Sequence, residues 1–311
     1  MICMNLKQGS VLLLIIMVLF CGLSVSGCLN SGGTDDGTDK NNSEKNNSAI
    51  ITGASFYVDD LNVEKVSDEE VLDTLVKIIR NYEVITIQGV KDPNGEAMKT
   101  LVNAVNTGTD ADGKAYNYQY NLSSPVGNAG DEEQYTYIYN RNVLYPSSIP
   151  QLYNDSNNAF EKDPYMIAFR AYEGQGQVLF VIFTASETNT KAEIDAIPEM
   201  IENIKKVYAG HETISVLGNF RADYPYYDKT SASPAKSSDL IWVIPDNAVT
   251  STEGNYAYDR FVATSNLKNY YGGSSGVFNF SEAYGLNQTQ TEAVSTHYPI
   301  YVEYYPYPAT S

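Results

Sequence analysis

Asn255-Tyr256-Ala257-Tyr258-Asp259-Arg260 leads into an apolar stretch, Arg260 to Ala263, and Ser295-Thr296-His297-Tyr298-Pro299 leads into another, Ile300 to Tyr304. Both stretches have the composition of strands, and each has a polar tract at its mouth. Reading outward, strand-like segments recur at Leu240–Val243, Ile214–Leu217, Val178–Phe183, Met166–Ala171, Tyr135–Tyr139 and Tyr116–Leu122, and Val84–Ile87 is a short buried run. Helical spacing appears in three places. Ser67-Asp68-Glu69-Glu70 reads as a capping box ahead of Val71, Leu72, Leu75, Ile78 and Ile79, and Asn81-Tyr82 ends that helix. A second helix is predicted over Gly95–Val105. A third runs over Lys191–Val207 through Ile194, Ile197, Ile201 and Ile204, with Pro198 as a point of kinking. Helices outside strands drawn from both halves fit an α/β fold, a four-layer α/β/β/α sandwich.

Further tracts carry a family resemblance. They are Ala54–Val58, the run Asn81–Asp92 containing Gln88-Gly89-Val90, Ser124-Pro125-Val126-Gly127 with Glu133–Tyr139, Gly218-Asn219-Phe220-Arg221-Ala222-Asp223, Trp242–Asp246 and Phe278–Leu286. With the two opening tracts, in this order, the chain from Ala54 to Val302 resembles the deoxyribonuclease I family of the endonuclease/exonuclease/phosphatase superfamily. The resemblance implies that fold, and a metal-dependent phosphodiester chemistry in which carboxylates hold a divalent cation and two histidines, each oriented by a carboxylate, move protons.

Set against that implied site, most positions here differ. The family's first-strand asparagine is Tyr57, the glutamate of Gln-Glu-Val is Gly89, and the aspartate of Gly-Asp-Phe-Asn is Asn219. The asparagine two residues later is Arg221, and a further aspartate is Thr296. One histidine position is Thr184, with Asp259 as its expected partner; the other is retained as His297, with Glu133 as its expected partner. His297, Glu133 and Asp259 are thus remnants of the catalytic set. Lys162 and Lys91 stand at the places of a phosphate-contacting arginine and a DNA-contacting arginine. Each survivor also has a structural reading: Asp259 as a cap or as the partner of Arg260 or Arg221, His297 with Glu133 as a buried pair, and His211 as a solvated loop residue. We expect Arg221 and Asp259 to form an ion pair or to sit one water apart. The family often has a disulfide where Tyr224 and Tyr256 stand here, and packing of these two rings is expected to replace it.

At the front, Lys7 precedes the apolar run Val11–Phe20 and then Val25-Ser26-Gly27-Cys28, which reads as a signal peptide over 1–27 ending in a lipobox. Cys28 is then lipidated as the mature N-terminus; the alternative is ordinary cleavage, with Cys28 an incidental thiol. The span 28–48 is polar and reads as a flexible tether with a root-mean-square reach of about 25 Å, and the domain occupies 49–311. The three cysteines of the chain all lie at or before Cys28, so the domain can form no internal disulfide. Sequons occur at Asn41, Asn46, Asn121, Asn154, Asn279 and Asn287.

The formal charge is −18, nearly all of it in the domain, which disfavours nucleic acid as a partner because such affinity rests on Lys and Arg contacts to phosphate. Twenty-six tyrosines favour strands and polar-aromatic binding surfaces alike. Two functions follow. The first is a cell-surface lipoprotein held to the membrane through Cys28, catalytically inactive, without a cofactor, binding an unidentified ligand or protein. The second is an exported Mg²⁺-dependent nuclease or phosphodiesterase whose site is rebuilt from Asp59, Asp60, Asp223 and Asp259.

Overall fold

The computed structural model describes residues 50–306 except 175, 209, 211 and 212; Cys28, the 29–48 span and His211 lie outside the described residues. Successive strand side chains point to opposite faces, and here that period sorts them into separate cores. In the stretch Tyr165–Ala171, Ile167 and Phe169 enter the core between the two sheets, whereas Met166 and Ala168 enter an outer one.

Four strands come first: β1 (Ile51–Leu61), β2 (Val84–Val90), β3 (Tyr118–Leu122) and β4 (Gln134–Asn140). The second sheet follows with β5 (Leu144–Pro146), β6 (Gln151–Leu152), β7 (Tyr165–Ala171), β8 (Gln177–Ile182), β9 (Ile214–Asn219), β10 (Leu240–Trp242) and β11 (Asp259–Thr264). The chain then returns with β12 (Tyr271–Val277) and β13 (Ile300–Tyr304). The first sheet runs β12-β13-β1-β2-β4-β3 and the second β10-β11-β9-β8-β7-β5, with β6 beside β7.

Helices α1 (Val63–Ser67), α2 (Glu69–Ile79) and α3 (Glu96–Val105) cover the first sheet through Leu75, Ile78, Ile79, Met98 and Leu101. The long α4 (Thr190–Val207) covers the second through Ile194, Ile197, Ile201 and Ile204. The last two, α5 (Phe280–Tyr284) and α6 (Gln288–Val294), send Phe280 and Val294 into the core beneath the first sheet. This is the expected four-layer sandwich.

One local expectation changes. Ser67 belongs to α1, and Asp68 caps α2 by accepting from the Glu70 and Val71 amides at 3.0 and 3.2 Å, so there is no capping box on Ser67. Helix α4 runs unbroken through Pro198. The abundance of tyrosine has a structural use between the sheets. Fully buried Tyr137 on β4 reaches across to the second sheet, its hydroxyl 2.6 Å from the Tyr165 carbonyl and 2.8 Å from that of Phe180. A buried phenol keeps a polar partner this way while its ring fills the core.

Candidate active site

Tyr57 within β1, Gly89 near the end of β2, Thr184 just beyond β8, Asn219 at the end of β9, Glu133 just before β4, Asp259 at the start of β11 and His297 three residues before β13 gather at one edge of the sandwich. Register makes this so: Tyr57 pairs with Gln88, Asp259 pairs with Asn219, and His297 bridges to Ser251. Thr250 Oγ1 accepts from the amides of Tyr258 and Asp259 at 2.9 and 3.0 Å, which fixes where β11 begins.

His297 and Asp259 form the one histidine–carboxylate pair among the described residues. Nδ1 lies 2.7 Å from Asp259 Oδ2, and since a carboxylate only accepts, Nδ1 carries the proton. This corrects the pairing expected from sequence: Asp259, not Glu133, orients His297. Burial by itself lowers the pKa of the ring, but the adjoining Asp259 carboxylate outweighs it and the net direction is upward. A histidine raised in the folded state contributes stability that is fully present below its unfolded pKa and is lost as pH rises through the folded one. Replacing Asp259 with Asn is therefore expected to lower the His297 pKa, measured by NMR titration of the ring; an unchanged value would show that this carboxylate does not set it.

Glu133 instead faces Thr184. Glu133 is 3% exposed and Thr184 1%. Thr184 stands beside the carboxylate and the Tyr135 hydroxyl, yet Glu133 Oε1, Thr184 Oγ1 and Tyr135 Oη all lack a hydrogen-bond partner among the described residues. Burial raises the pKa of Glu133, opposed by Lys162, whose Nζ lies 3.6 Å away and is also 3.1 Å from Asp131. Lys162 is thus committed to the protein's own acids.

Arg221 forms no ion pair with Asp259, which corrects that arm of the expectation. Its Nη1 donates to the Ala185 carbonyl at 2.8 Å and its Nη2 to Glu187 at 3.1 Å, with the guanidinium 5.5 Å from the centre of the Tyr226 ring. Asp259 is already taken by His297, and the Arg221 backbone, with φ of 46°, turns the side chain toward the loop after β8. The two residues share the cleft, for the guanidinium acts electrostatically on His297, Glu133 and Tyr57. The Tyr224–Tyr256 packing is not formed either: Tyr224 is 72% exposed, and the Tyr256 ring stacks on Tyr258 with centroids 5.3 Å apart. What ties these loops is polar, the Ala257 amide donating to Asp223 Oδ2 at 2.8 Å.

The divalent cation that the fold implies can be tested against this donor set. Gly89 offers no ligand, and Asn219 uses its Oδ1 to accept from the Arg221 amide at 3.1 Å. Asp59 accepts from the Thr296 amide and hydroxyl at 2.8 to 2.9 Å. Asp60 pairs with Lys91 at 2.6 Å, and Asp223 with Lys229 at 2.9 Å. The four aspartates offered as a rebuilt site are not brought together, and among the described residues no cluster of three or more His, Cys, Asp or Glu is placed to hold a metal. The residues do not fit the cation. Sequence reasoning missed the partners Glu187 and Thr250, which lie on loops with no motif to mark them, and gave no role to Ser295, whose hydroxyl accepts from the His297 amide.

The fold is that of the endonuclease/exonuclease/phosphatase class. Among solved structures, the chain is similar to an endonuclease/exonuclease/phosphatase family protein from Leptotrichia buccalis, with a TM-score of 0.56, 15% identity, and coverage of 82% of this chain and 99% of that one. By sequence it is similar to deoxyribonuclease-1-like 2 of Mus musculus, 30% identical over 261 residues, covering 80% of this chain and 90% of the relative. It is likewise similar to deoxyribonuclease-1 of Bos taurus, 27% identical over 261 residues with the same coverage. The chain belongs to the deoxyribonuclease I family. No family model matches it.

Proposed function

We propose that this chain is a surface lipoprotein whose deoxyribonuclease I-like domain binds a ligand without cleaving it. Residues 1–27 serve as signal peptide, Cys28 carries the lipid, 28–48 form the tether and 49–311 the domain. The observation that carries the reading is the state of the cleft acids: Asp59, Asp60, Asp223, Asp259 and Glu133 each have a hydrogen-bond or ion-pair partner within the protein. Retained Asp259 and His297 keep a proton acceptor oriented, but a lone acid–base group lacks the charge that phosphodiester hydrolysis requires.

The chain enters the domain at Ile51, at the edge opposite the cleft, with Tyr57 about 20 Å further along β1.

Calorimetry with Mg²⁺ or Mn²⁺ tests the non-catalytic reading; no saturable binding is expected, and saturable binding accompanied by DNA nicking would favour the metal-dependent nuclease. For the anchor, Cys28→Ser is expected to move the protein out of the membrane fraction. A Cys28→Ser chain that still sediments wholly with membranes would sink that part.

A further inference from the structure

A groove on the outer side of the second sheet shares no residue with the cleft. Its volume is about 510 Å³, inside the range of small-molecule sites, about 300–1,000 Å³. One wall is β6 with the stretch after it; the other is the C-terminal end of α4. Met166 and Ile204, 6% and 1% exposed, form an apolar floor with Leu152, and Val207, 75% exposed, carries that floor to the rim.

Each wall contributes a tyrosine that is held from the opposite wall. Asn203 Nδ2 of α4 donates to the Tyr153 hydroxyl at 3.1 Å, and Gln151 Nε2 of β6 donates to the hydroxyl of Tyr208, which follows α4. Edge-on packing of the Tyr153 ring against Phe160, with centroids 6.1 Å apart, fixes it further. Both rings are placed before any ligand arrives, which removes an ordering cost from binding.

Three polar groups of the lining are left over. The Asn154 side-chain amide, the Ser156 hydroxyl and Gln151 Oε1 make no hydrogen bond among the described residues. Together they offer both donors and acceptors. Charge is nearly absent from the groove, although acids outnumber bases 38 to 20 in the chain. Among the described residues no carboxylate lines it, and the nearby acids are engaged elsewhere. Asp155 accepts from the Phe160 amide at 2.8 Å, Glu199 from Asn157 at 3.4 Å and Glu202 from Lys205 at 2.7 Å. Lys206, the cation of the lining, donates to Asn203 Oδ1 at 3.0 Å.

We propose that this groove binds pyranose units of a neutral glycan. A pyranose has an apolar C–H face, which suits the floor and the two tyrosine rings, whose π-faces carry partial negative charge. Each sugar hydroxyl both donates and accepts, as the free amide and hydroxyl groups of the lining do. An acidic sugar or a nucleotide would bring charge that the lining answers with a single lysine. This names a ligand class for the binding role proposed above, and it depends on neither the cleft nor the loss of its chemistry.

The test is calorimetric titration of the full chain with maltotriose, mannotriose and chitotriose as neutral probes, and with trigalacturonate as the acidic one. Saturable binding of at least one neutral trisaccharide is expected. Tyr208→Ala should weaken it about tenfold through loss of a ring contact and its buried area, whereas Tyr208→Phe, which keeps the ring, should bind nearly as the parent does. Tyr224→Ser, on the exposed loop beside the cleft, should leave sugar binding unchanged. No binding of any neutral probe, tighter binding of trigalacturonate, equal binding by Tyr208→Ala, or a loss in Tyr224→Ser as large as in Tyr208→Ala would each overturn the proposal. If Tyr208→Ala does not fold, Asn154→Ala at an exposed position replaces it: the sugar should bind several-fold more weakly, and unchanged affinity counts against the groove. Nicking assays on the same samples keep the two readings apart. Cleavage of DNA would sink the non-catalytic reading and leave the sugar result standing, whereas absent sugar binding would sink only this proposal.

Discussion

A Gly89→Glu chain is expected to unfold with about 3 kcal/mol less free energy than the parent, and to gain no divalent-cation site. Gly89 sits in β2, buried throughout its length, with φ of 78°, a region that costs an L side chain strain, and a Cβ added there would lie 2.5 Å from the Val58 carbonyl oxygen. The cause is a local irregularity. Between the pairs Tyr57↔Gln88 and Leu61↔Val90, β1 spends three residues, Val58 to Asp60, where β2 spends only Gly89. The bulged backbone fills the space that a glutamate side chain needs. Urea denaturation with and without Mg²⁺ measures the effect. Parental stability together with a Mg²⁺-dependent rise in the midpoint would show that the bulge yields and that a ligand position persists.

The second expected result is that the chain does not nick supercoiled DNA in Mg²⁺, Mn²⁺ or Ca²⁺. Loss of one general acid–base group costs typically about 10²–10⁴-fold, and here the absence of carboxylates at Gly89 and Asn219 and the presence of the Arg221 cation add to the loss at Thr184. The structure sharpens what restoration requires. Thr184→His would meet the Glu133 carboxylate, whose Oε1 has no partner among the described residues, so a second histidine–carboxylate pair can re-form there. That single change should still give no nicking, because the cation site stays closed. Changing positions 89, 184, 219, 221 and 296 together should recover activity only if the Val58–Asp60 bulge is also removed. Robust metal-dependent nicking by the unmodified chain, abolished by Asp259→Ala or His297→Ala, would overturn the non-catalytic reading and establish a nuclease with a rebuilt site.

Much of the fold was legible in sequence because strand and helix periods are local. The alternation in Met166–Ala171 and Val178–Phe183, and the apolar spacing of Ile194, Ile197, Ile201 and Ile204, lie within one run of chain, and the observed elements differ from the predicted ones by a residue or two. The glycine-rich β12 was not legible, since its stretch Tyr271-Gly272-Gly273-Ser274-Ser275-Gly276-Val277 has no apolar alternation and is held as a strand by pairing with β13. Helices α5 and α6 were likewise too short to show a period.

At the site, the identities at positions 57, 89, 184, 219, 221 and 296 are facts of the sequence, and so is the retention of Glu133, Asp259 and His297. Which of these residues touch is not. Pairing of His297 with Asp259, and of Glu133 with Lys162 beside Thr184, depends on where strands from the two sheets end relative to each other. Sequence by itself determined the layered sandwich and the residue types at its mouth, because burial period and motif order are written along the chain. Tertiary structure alone decided the partners of those residues, since a hydrogen bond of 2.7 Å between residues thirty-eight positions apart is set by the register of packed sheets.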